Sequence, residues 1–382
     1  MSDSESSIPL CEPFLNGNEI KYSGQAIASN WLSGGEFLNL FEQQLADFTN
    51  SRFAIGVSSG TSALHIALII AGVEEGDLVL VPDLTFVATA NAVKFLKADP
   101  ILIDVKSDSW VLDLDLLNEF LESETYLENG YCYHKKTRRR IRAVVPVHLL
   151  GNMCDMERLL SIGELYHLAV IEDAACSLGS VQNGRHSGTF GIMGTISFNS
   201  NKIITTGGGG AVLTDDEQIA KKVRFLITQA KSPGIEYHHS DLGYNYRLVN
   251  PLAAIGAAQM EQLERFIAVK KKVYNFYCNE LDLQADQIQR IEAGTDSNHW
   301  HFVTLVRNSR ELIRFLGNNR VESRPVWLPI HELPIFSKDI YISQNNNSKI
   351  ISDRGVMLPC STSITDGQLE KVGSLVREFN RR

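Results

Sequence analysis

Lys202 stands in the segment SFNSNKIITTGGGGAVLT (197–214), between a run that reads as a strand and a turn of four consecutive glycines. Most lysines are solvated at a surface, and alone this one would be read so. Its setting argues otherwise, because apolar residues flank it and the glycines let backbone crowd a ligand. A lysine held in such a pocket can lose its proton and form a Schiff base. A second cluster is IEDAACSLGS (171–180), where Glu172 and Asp173 end an apolar run. A carboxylate at the end of a buried strand can meet a ligand, although an Asp there also serves as a helix cap. The third cluster is SSGTSALHIALII (58–70), in which Ser58 and Ser59 end a strand, Gly60 turns, and Thr61 and Ser62 open a helix. The free N–H groups and positive dipole end of a helix start suit a phosphate. A merely capped helix would look the same from this segment alone.

These residues need elements that bring them together. Strands are expected at AIGVSS (54–59), LVLVP (78–82), ILIDV (101–105), AVVPVH (143–148), AVIEDA (169–174), TISFN (195–199) and GAVLT (210–214). Helical periodicity falls between them: from Thr61, then in FVATANAVKFLKA, LDLLNEFLES, DMERLLSIGELYH and DDEQIAKKVRFLIT. Such alternation means βαβ units and a largely parallel sheet, with ligands at the carboxyl ends of the strands. From Asn250 to about Leu281 the pattern reads as one long helix with Pro251 near its start. HFVTLVR, RELIRFLG, RPVW, VMLP and a terminal helix from about 365 then suggest a smaller α+β unit. The expected division is a large domain over 1–254 and a small one over 255–382.

A phosphate cradle, a strand-end carboxylate and a lysine are together the parts that pyridoxal phosphate needs. The carboxylate pairs with the pyridine nitrogen, which makes the ring an electron sink, and the lysine carries the cofactor and shuttles a proton. TTGGGG precedes a strand, so it is not the GxGxxG dinucleotide fingerprint. SSGTSAL lacks that spacing too, which argues against a nicotinamide-dependent oxidoreductase. The 382 residues are 44% hydrophobic and 21% charged, an ordinary globular composition. A net charge of −9 argues against general nucleic-acid binding. Cys11, Cys132, Cys154, Cys176, Cys278 and Cys360 form no CxxC pair, so neither a disulfide framework nor a metal site is expected. MSDSESSIPL is unlike a secretory signal, and IALIIAG (66–72) is too short to span a bilayer. The expectation is a cytoplasmic protein without a membrane partner.

Six motifs in order carry a resemblance: SSGTSALHIAL, PDLTFVATANAV, PVHLLGNMCDM, IEDAACSLGS, SFNSNKIITTGGGG and LGYNYRLVNPLAAIGAAQ. Over most of its length the chain resembles the DegT/DnrJ/EryC1/StrS family of sugar aminotransferases. The resemblance implies the α/β fold of fold-type-I pyridoxal-phosphate transferases, a large domain with a mostly parallel sheet flanked by helices and a smaller C-terminal α+β domain. It implies Lys202 as the Schiff-base lysine and Asp173 as the partner of the pyridine nitrogen. Phe86 would stack on the cofactor ring, and Thr61, Ser62 and Ser197, with Gly60 at the turn, would hold its phosphate. Asn245, in GYNYR, would reach the phosphate from the neighbouring subunit, which implies a homodimer with active sites at the subunit interface. Arg247, Trp327 and His331 fall in segments that line the substrate pocket. Cys176 lies near the cofactor where many members carry Gln or Glu, and local contacts there would differ.

SFNSNKIITTGGGG and RPVW are most similar to the subgroup acting on UDP-linked 4-keto-6-deoxy-N-acetylhexosamines. That implies transfer of an amino group from glutamate to the C4 keto group, through the pyridoxamine phosphate form, to build an amino sugar for a surface glycan. A 3-keto sugar as acceptor stays open. A pyridoxal-dependent nucleotide-sugar dehydratase would have histidine in place of Lys202, and a non-catalytic binding relative would have lost the lysine or the aspartate. The basic run KKTRRRIR (135–142) reads as a solvated loop tip or as a contact for an anionic nucleotide or a second subunit. His65 and His148 read as packed histidines without a catalytic role.

Overall fold

The computed structural model describes residues 7–381; the first six residues of the N-terminal stretch considered above lie outside it. The main sheet contains, in chain order, β1 (Phe53–Val57), β2 (Leu78–Pro82), β3 (Asp99–Ile103), β4 (Arg140–Val144), β5 (Ala169–Asp173), β6 (Met193–Ser197), β7 (Gly210–Thr214) and β8 (Ile340–Ile342). In space the order is β1-β7-β6-β5-β4-β2-β3-β8. β7 is antiparallel to both neighbours, and every other pairing along this path is parallel.

Strand alternation feeds a separate core on each face of this sheet. Val79 and Val81 of β2 join Leu64, Ile66, Val93 and Val223 from the helices on one face. Leu78 and Leu80 join Leu117, Phe120, Leu159 and Ile162 on the other. The helices Glu36–Thr49 and Asn250–Met260 pack over β6 and β7 through Phe41, Leu45, Ala253 and Ala257. A second, antiparallel sheet joins Phe302–Leu305, Gly355–Leu358 and Arg324–Pro325. Around it Val273, Tyr277, Leu312, Leu316, Val372 and Val376 form another core. The start of the described chain joins this part, with Ile8 bridging to Val321.

Three expectations change. The long helix from Asn250 is two helices, Asn250–Met260 and Leu263–Glu280. The backbone leaves helical geometry at Gln262 (φ −114°, ψ 0°), where the N-terminal helix docks. There Asn18 Nδ2 and Tyr22 Oη both donate to the Glu261 carboxylate, at 2.7 and 2.6 Å. β4 starts at Arg140, inside the basic run, and an unforeseen hairpin of Thr125–Glu128 and Tyr131–His134 pairs beside it. The run is therefore not a free loop tip. Arg139 pairs with Asp99 at 2.7 Å and Arg140 with Asp77 at 2.6 Å, at the amino ends of β2 and β3. No helix among the described residues is long and apolar enough to cross a membrane.

One buried histidine and one half-buried histidine bear on acid stability. His186 accepts the Gly179 N–H at Nε2 (2.8 Å) and donates from Nδ1 to the Ser187 carbonyl (2.5 Å). His299 stacks on Tyr274 with ring centres 3.8 Å apart. Burial lowers both pKa values from 6.5 to about 4. Between those values the unfolded chain binds more protons than the folded one. Their contribution is therefore full above pH 6.5 and is lost as pH falls toward 4, at roughly 1.4 kcal/mol per pH unit for each group. The urea midpoint should drop across this window, and His299→Gln should make the drop shallower.

Candidate active site

Because β7 runs against both its neighbours, its amino end meets the carboxyl ends of β1, β5 and β6 at one edge. A pocket of about 340 Å³ opens there. β5 ends in Glu172 and Asp173, which alternation sends to opposite sides. Glu172 faces away from the pocket, accepting the N–H groups of Gly188 (2.8 Å), Phe190 (2.6 Å) and Gly191 (2.7 Å) and pairing with His148 Nε2 at 2.8 Å. Asp173 lines the pocket. The Thr89 hydroxyl donates to its Oδ2 at 2.7 Å and the Ala175 N–H to its Oδ1 at 3.1 Å. The carboxylate is thus held in one orientation.

The helix Gly60–Ile70 starts at the same edge, capped by Ser59, whose hydroxyl accepts the Ser62 N–H. The N–H groups of Gly60 and Thr61 find no acceptor among the described residues. Close packing puts them there. A Cβ on Gly60 would stand 2.8 Å from Ser197 Cβ, and one on Gly210 would stand 2.6 Å from the carbonyl carbon of Ser59.

Lys202 comes from the loop between β6 and β7. Its Nζ lies 3.2 Å from Cys176 Sγ and 4.1 Å from the centre of the Trp300 ring. Burial raises the Cys176 pKa, opposed by the Lys202 charge, so this thiol stays protonated at neutral pH. Trp300 Nε1 donates to the Asn201 carbonyl at 2.8 Å. Trp327 stacks on Trp300, with ring centres 6.3 Å apart and planes 9° apart. The second part of the chain therefore supplies a tryptophan wall opposite the sheet edge.

Of the residues singled out in the sequence, Gly60, Thr61, Phe86, Asp173, Cys176, Ser197, Lys202 and Trp327 line this one pocket. Ser62 does not. Its hydroxyl bonds Ser58 Oγ at 3.0 Å and Ser59 Oγ at 2.8 Å, behind the helix start. Asn245 and Arg247 are exposed and line no part of the pocket of their own chain. His331 is not among the lining residues; its Nδ1 is 2.7 Å from Asp83 Oδ2 and its ring 3.9 Å from that of Tyr341. Sequence reasoning missed Ser59, Thr89 and Trp300. Thr89 sits in the LTFVATAN segment already singled out, but its partner is 84 residues away. Trp300 stands between two histidines just before a strand, with no motif to mark it.

This donor set fits pyridoxal phosphate. Two unpaired N–H groups at a helix start, with the hydroxyls of Ser59, Thr61 and Ser197 around them, suit the phosphate. A fixed buried carboxylate suits the pyridine nitrogen, a half-exposed Phe86 offers a ring face, and an amine faces the same space. A lysine, an aspartate and a helix start with free N–H groups on the carboxyl edge of such a sheet fit the site of a pyridoxal-phosphate-dependent enzyme of the α/β class. Residues 13–377 match the DegT/DnrJ/EryC1/StrS aminotransferase family, and the chain belongs to it. It is 37% identical to EpsN of Bacillus subtilis (strain 168), itself assigned by name to the pyridoxal phosphate-dependent aminotransferases, over 96% of this chain and 94% of that one. It is 33% identical to the GDP-perosamine synthase of Escherichia coli O157:H7, over 97% and 98% of the two chains. The fold superposes on a DegT DnrJ EryC1 StrS aminotransferase from Brucella abortus with a TM-score of 0.88, at 24% identity over 96% of each chain. The protein is a sugar aminotransferase with pyridoxal phosphate as its cofactor.

Two substitutions probe the pocket. Gly210→Ala should lower stability by about 1–3 kcal/mol, because backbone rather than a mobile side chain meets the new Cβ. Urea unfolding reads this. Thr89→Val removes the donor to Asp173 Oδ2 and should speed cofactor loss roughly tenfold, followed by the visible absorption of the holoenzyme during dialysis.

Proposed function

We propose that this enzyme moves an amino group from glutamate to the C4 keto carbon of a nucleotide-linked 4-keto-6-deoxy sugar. The observation that carries this reading is the convergence of Lys202, Asp173 and the unpaired Gly60 and Thr61 N–H groups on one pocket. Bound there, pyridoxal phosphate supplies the electron sink that lets an amino group leave one carbon and join another. Asp173 holds the charge at the pyridine nitrogen. Gly60, Thr61 and Ser197 hold the phosphate. Lys202 Nζ takes the proton from the α-carbon of the donor amino acid, and in the second half-reaction gives one to the C4 carbon of the sugar. Trp300 and Trp327 offer flat apolar faces to a deoxy sugar and exclude water from the lysine.

Asn245 and Arg247 act, in this reading, on the pocket of a second copy. Ile27, Trp31 and Leu32 in one segment and Leu242 and Val249 in another are exposed apolar residues, which suits a homodimer. Asn250 ties them together, its backbone N–H to the Leu32 carbonyl and its Nδ2 to the Trp31 carbonyl, both at 2.9 Å. His331, oriented by Asp83, would meet the substrate at the pocket mouth. The division at residues 254 and 255 belongs to the same proposal, the cofactor side in the large domain and the tryptophan wall in the small one. The cytoplasm, where nucleotide sugars are made, is the proposed compartment.

UDP is the nucleotide in this reading, on the likeness of SFNSNKIITTGGGG and RPVW to UDP-sugar enzymes. A GDP-linked sugar is the second reading, favoured by relatives at 32–33% identity that are named GDP-perosamine synthases. One experiment tests donor, acceptor and nucleotide. Glutamate should bleach the visible band of the holoenzyme, and a UDP-linked 4-keto-6-deoxy sugar should restore it. Restoration by the GDP-linked sugar alone selects the second reading. Lys202→Ala should slow both half-reactions by at least about 10²-fold. Intersecting double-reciprocal lines in place of parallel ones would remove the two-stage scheme.

A further inference from the structure

Beside the Lys202 loop lies a buried cluster that the transamination does not use: Cys11, Cys360, Lys270 and His301. Lys270, on the helix Leu263–Glu280, is 1% exposed. Its Nζ donates to the carbonyls of Trp300 at 2.8 Å and Cys360 at 2.6 Å, and lies 3.5 Å from Cys360 Sγ and 3.8 Å from Cys11 Sγ. No carboxylate among the described residues pairs with it. A buried ammonium without a counter-charge is costly, and here only a thiol can supply one. The hydrogen bond from Cys360, against burial and with the Lys270 charge, brings Cys11 down to about 6. The same hydrogen bond and burial push Cys360 up. His301, with Nδ1 3.0 Å from Cys360 Sγ, is kept neutral by burial and by Lys270. Two sulfurs thus face one buried ammonium, and Cys11 is the more acidic of the two.

The backbone holds the two cysteines side by side. The Cys360 N–H donates to the Leu10 carbonyl at 2.8 Å, and the Glu12 N–H to Ser361 Oγ at 3.0 Å. Cys11 is half-buried, so a small reagent meets it first. The cluster also touches the active-site loop. Cys11 Sγ is 3.5 Å from the carbonyl of Asn201, the same carbonyl that accepts the Trp300 indole N–H. Lys270 holds the carbonyl of Trp300, whose ring lies against Lys202 Nζ.

We propose that Cys11 and Cys360 are a disulfide-forming pair, closed by a low-molecular-weight disulfide, whose closure loosens the neighbouring cofactor pocket. The Cys11 thiolate attacks one sulfur of the small disulfide, breaking its S–S bond and releasing one thiolate. Cys360 gives its proton to that leaving thiolate, attacks the Cys11 sulfur of the mixed disulfide and expels the second thiolate, which takes a proton from solvent. The two cysteines lose two electrons, and the small disulfide gains them and departs as two thiols. Closure removes the thiolate opposite Lys270. The ammonium is then left without its counter-charge, and the hold on Trp300 and the Lys202 loop weakens.

The test incubates the holoenzyme in a graded series of oxidised and reduced glutathione. Peptides are mapped by mass spectrometry without reduction, and cofactor loss is followed by visible absorption during dialysis. The Cys11 and Cys360 peptides should be recovered joined, lacking two hydrogens. Cofactor loss should quicken about fivefold, the scale of one lost hydrogen bond, and dithiothreitol should reverse it. Cys11→Ser should show neither change, and Cys11→Ala serves in its place where the serine variant fails to fold. The proposal is overturned if the two peptides stay separate at full oxidation. It is overturned equally if the bridge forms with cofactor loss unchanged, or if oxidant quickens cofactor loss from both Cys11 variants, each measured against its own rate without oxidant, as much as from the parent.

Discussion

Of the eight strands β1 to β8 every one but β7 points one way, so their carboxyl ends share one edge, and β7 brings its amino end to that edge. The rest of the site follows from this polarity. Asp173 arrives as the last residue of β5, Ser197 as the last of β6, and the glycine turn as the entry to β7. The helix start at Gly60 follows β1. Only glycine at 210 lets the entry to β7 pass the Ser59–Gly60 backbone closely enough to leave the helix amides facing the pocket. A side chain there would separate the phosphate cradle from the carboxylate and the lysine.

The two acids at the end of β5 show how alternation assigns work. One residue apart, they meet opposite environments. Glu172 is wholly buried and fully answered, by three backbone N–H groups and His148. That makes it the anchor of residues 188–191 and so of the approach to β6. Asp173 has one donor on each oxygen and an open pocket before it. A buried carboxylate with acceptor capacity to spare is unfavourable without a further donor. A protonated pyridine nitrogen is such a donor.

Much of this was legible in the sequence because it is local. β2 and β7 fall where their apolar runs lie, at 78–82 and 210–214, since a parallel or central strand buried on both faces needs an unbroken apolar run. That Lys202, Asp173 and the helix start face one ligand-sized space was readable from neighbours within a few residues. What escaped depends on distant partners. Ser62 looks like a phosphate ligand until its hydroxyl is seen to be shared between Ser58 and Ser59. The break at Gln262 has no glycine or proline to mark it, and arises where Asn18 and Tyr22 dock on Glu261. The arginines of the basic run find Asp77 and Asp99 across the sheet's amino edge, pairings that no spacing encodes.

Trp300 is where the two parts of the chain become one site. It belongs to the segment that leads into the smaller sheet, yet its indole N–H holds Asn201 and its ring lies against Lys202. Its own carbonyl is held by Lys270, a buried cation whose partners are carbonyls and thiols. The position of Lys202 therefore rests on a second lysine, whose Nζ stands 3.8 Å from Cys11 Sγ. Charges inside a core are weakly screened at low effective dielectric, so a change of one charge there is felt by the groups in contact with it. The sheet edge fixes where the carboxylate and the phosphate cradle stand. This buried pair governs how firmly the lysine is held against them.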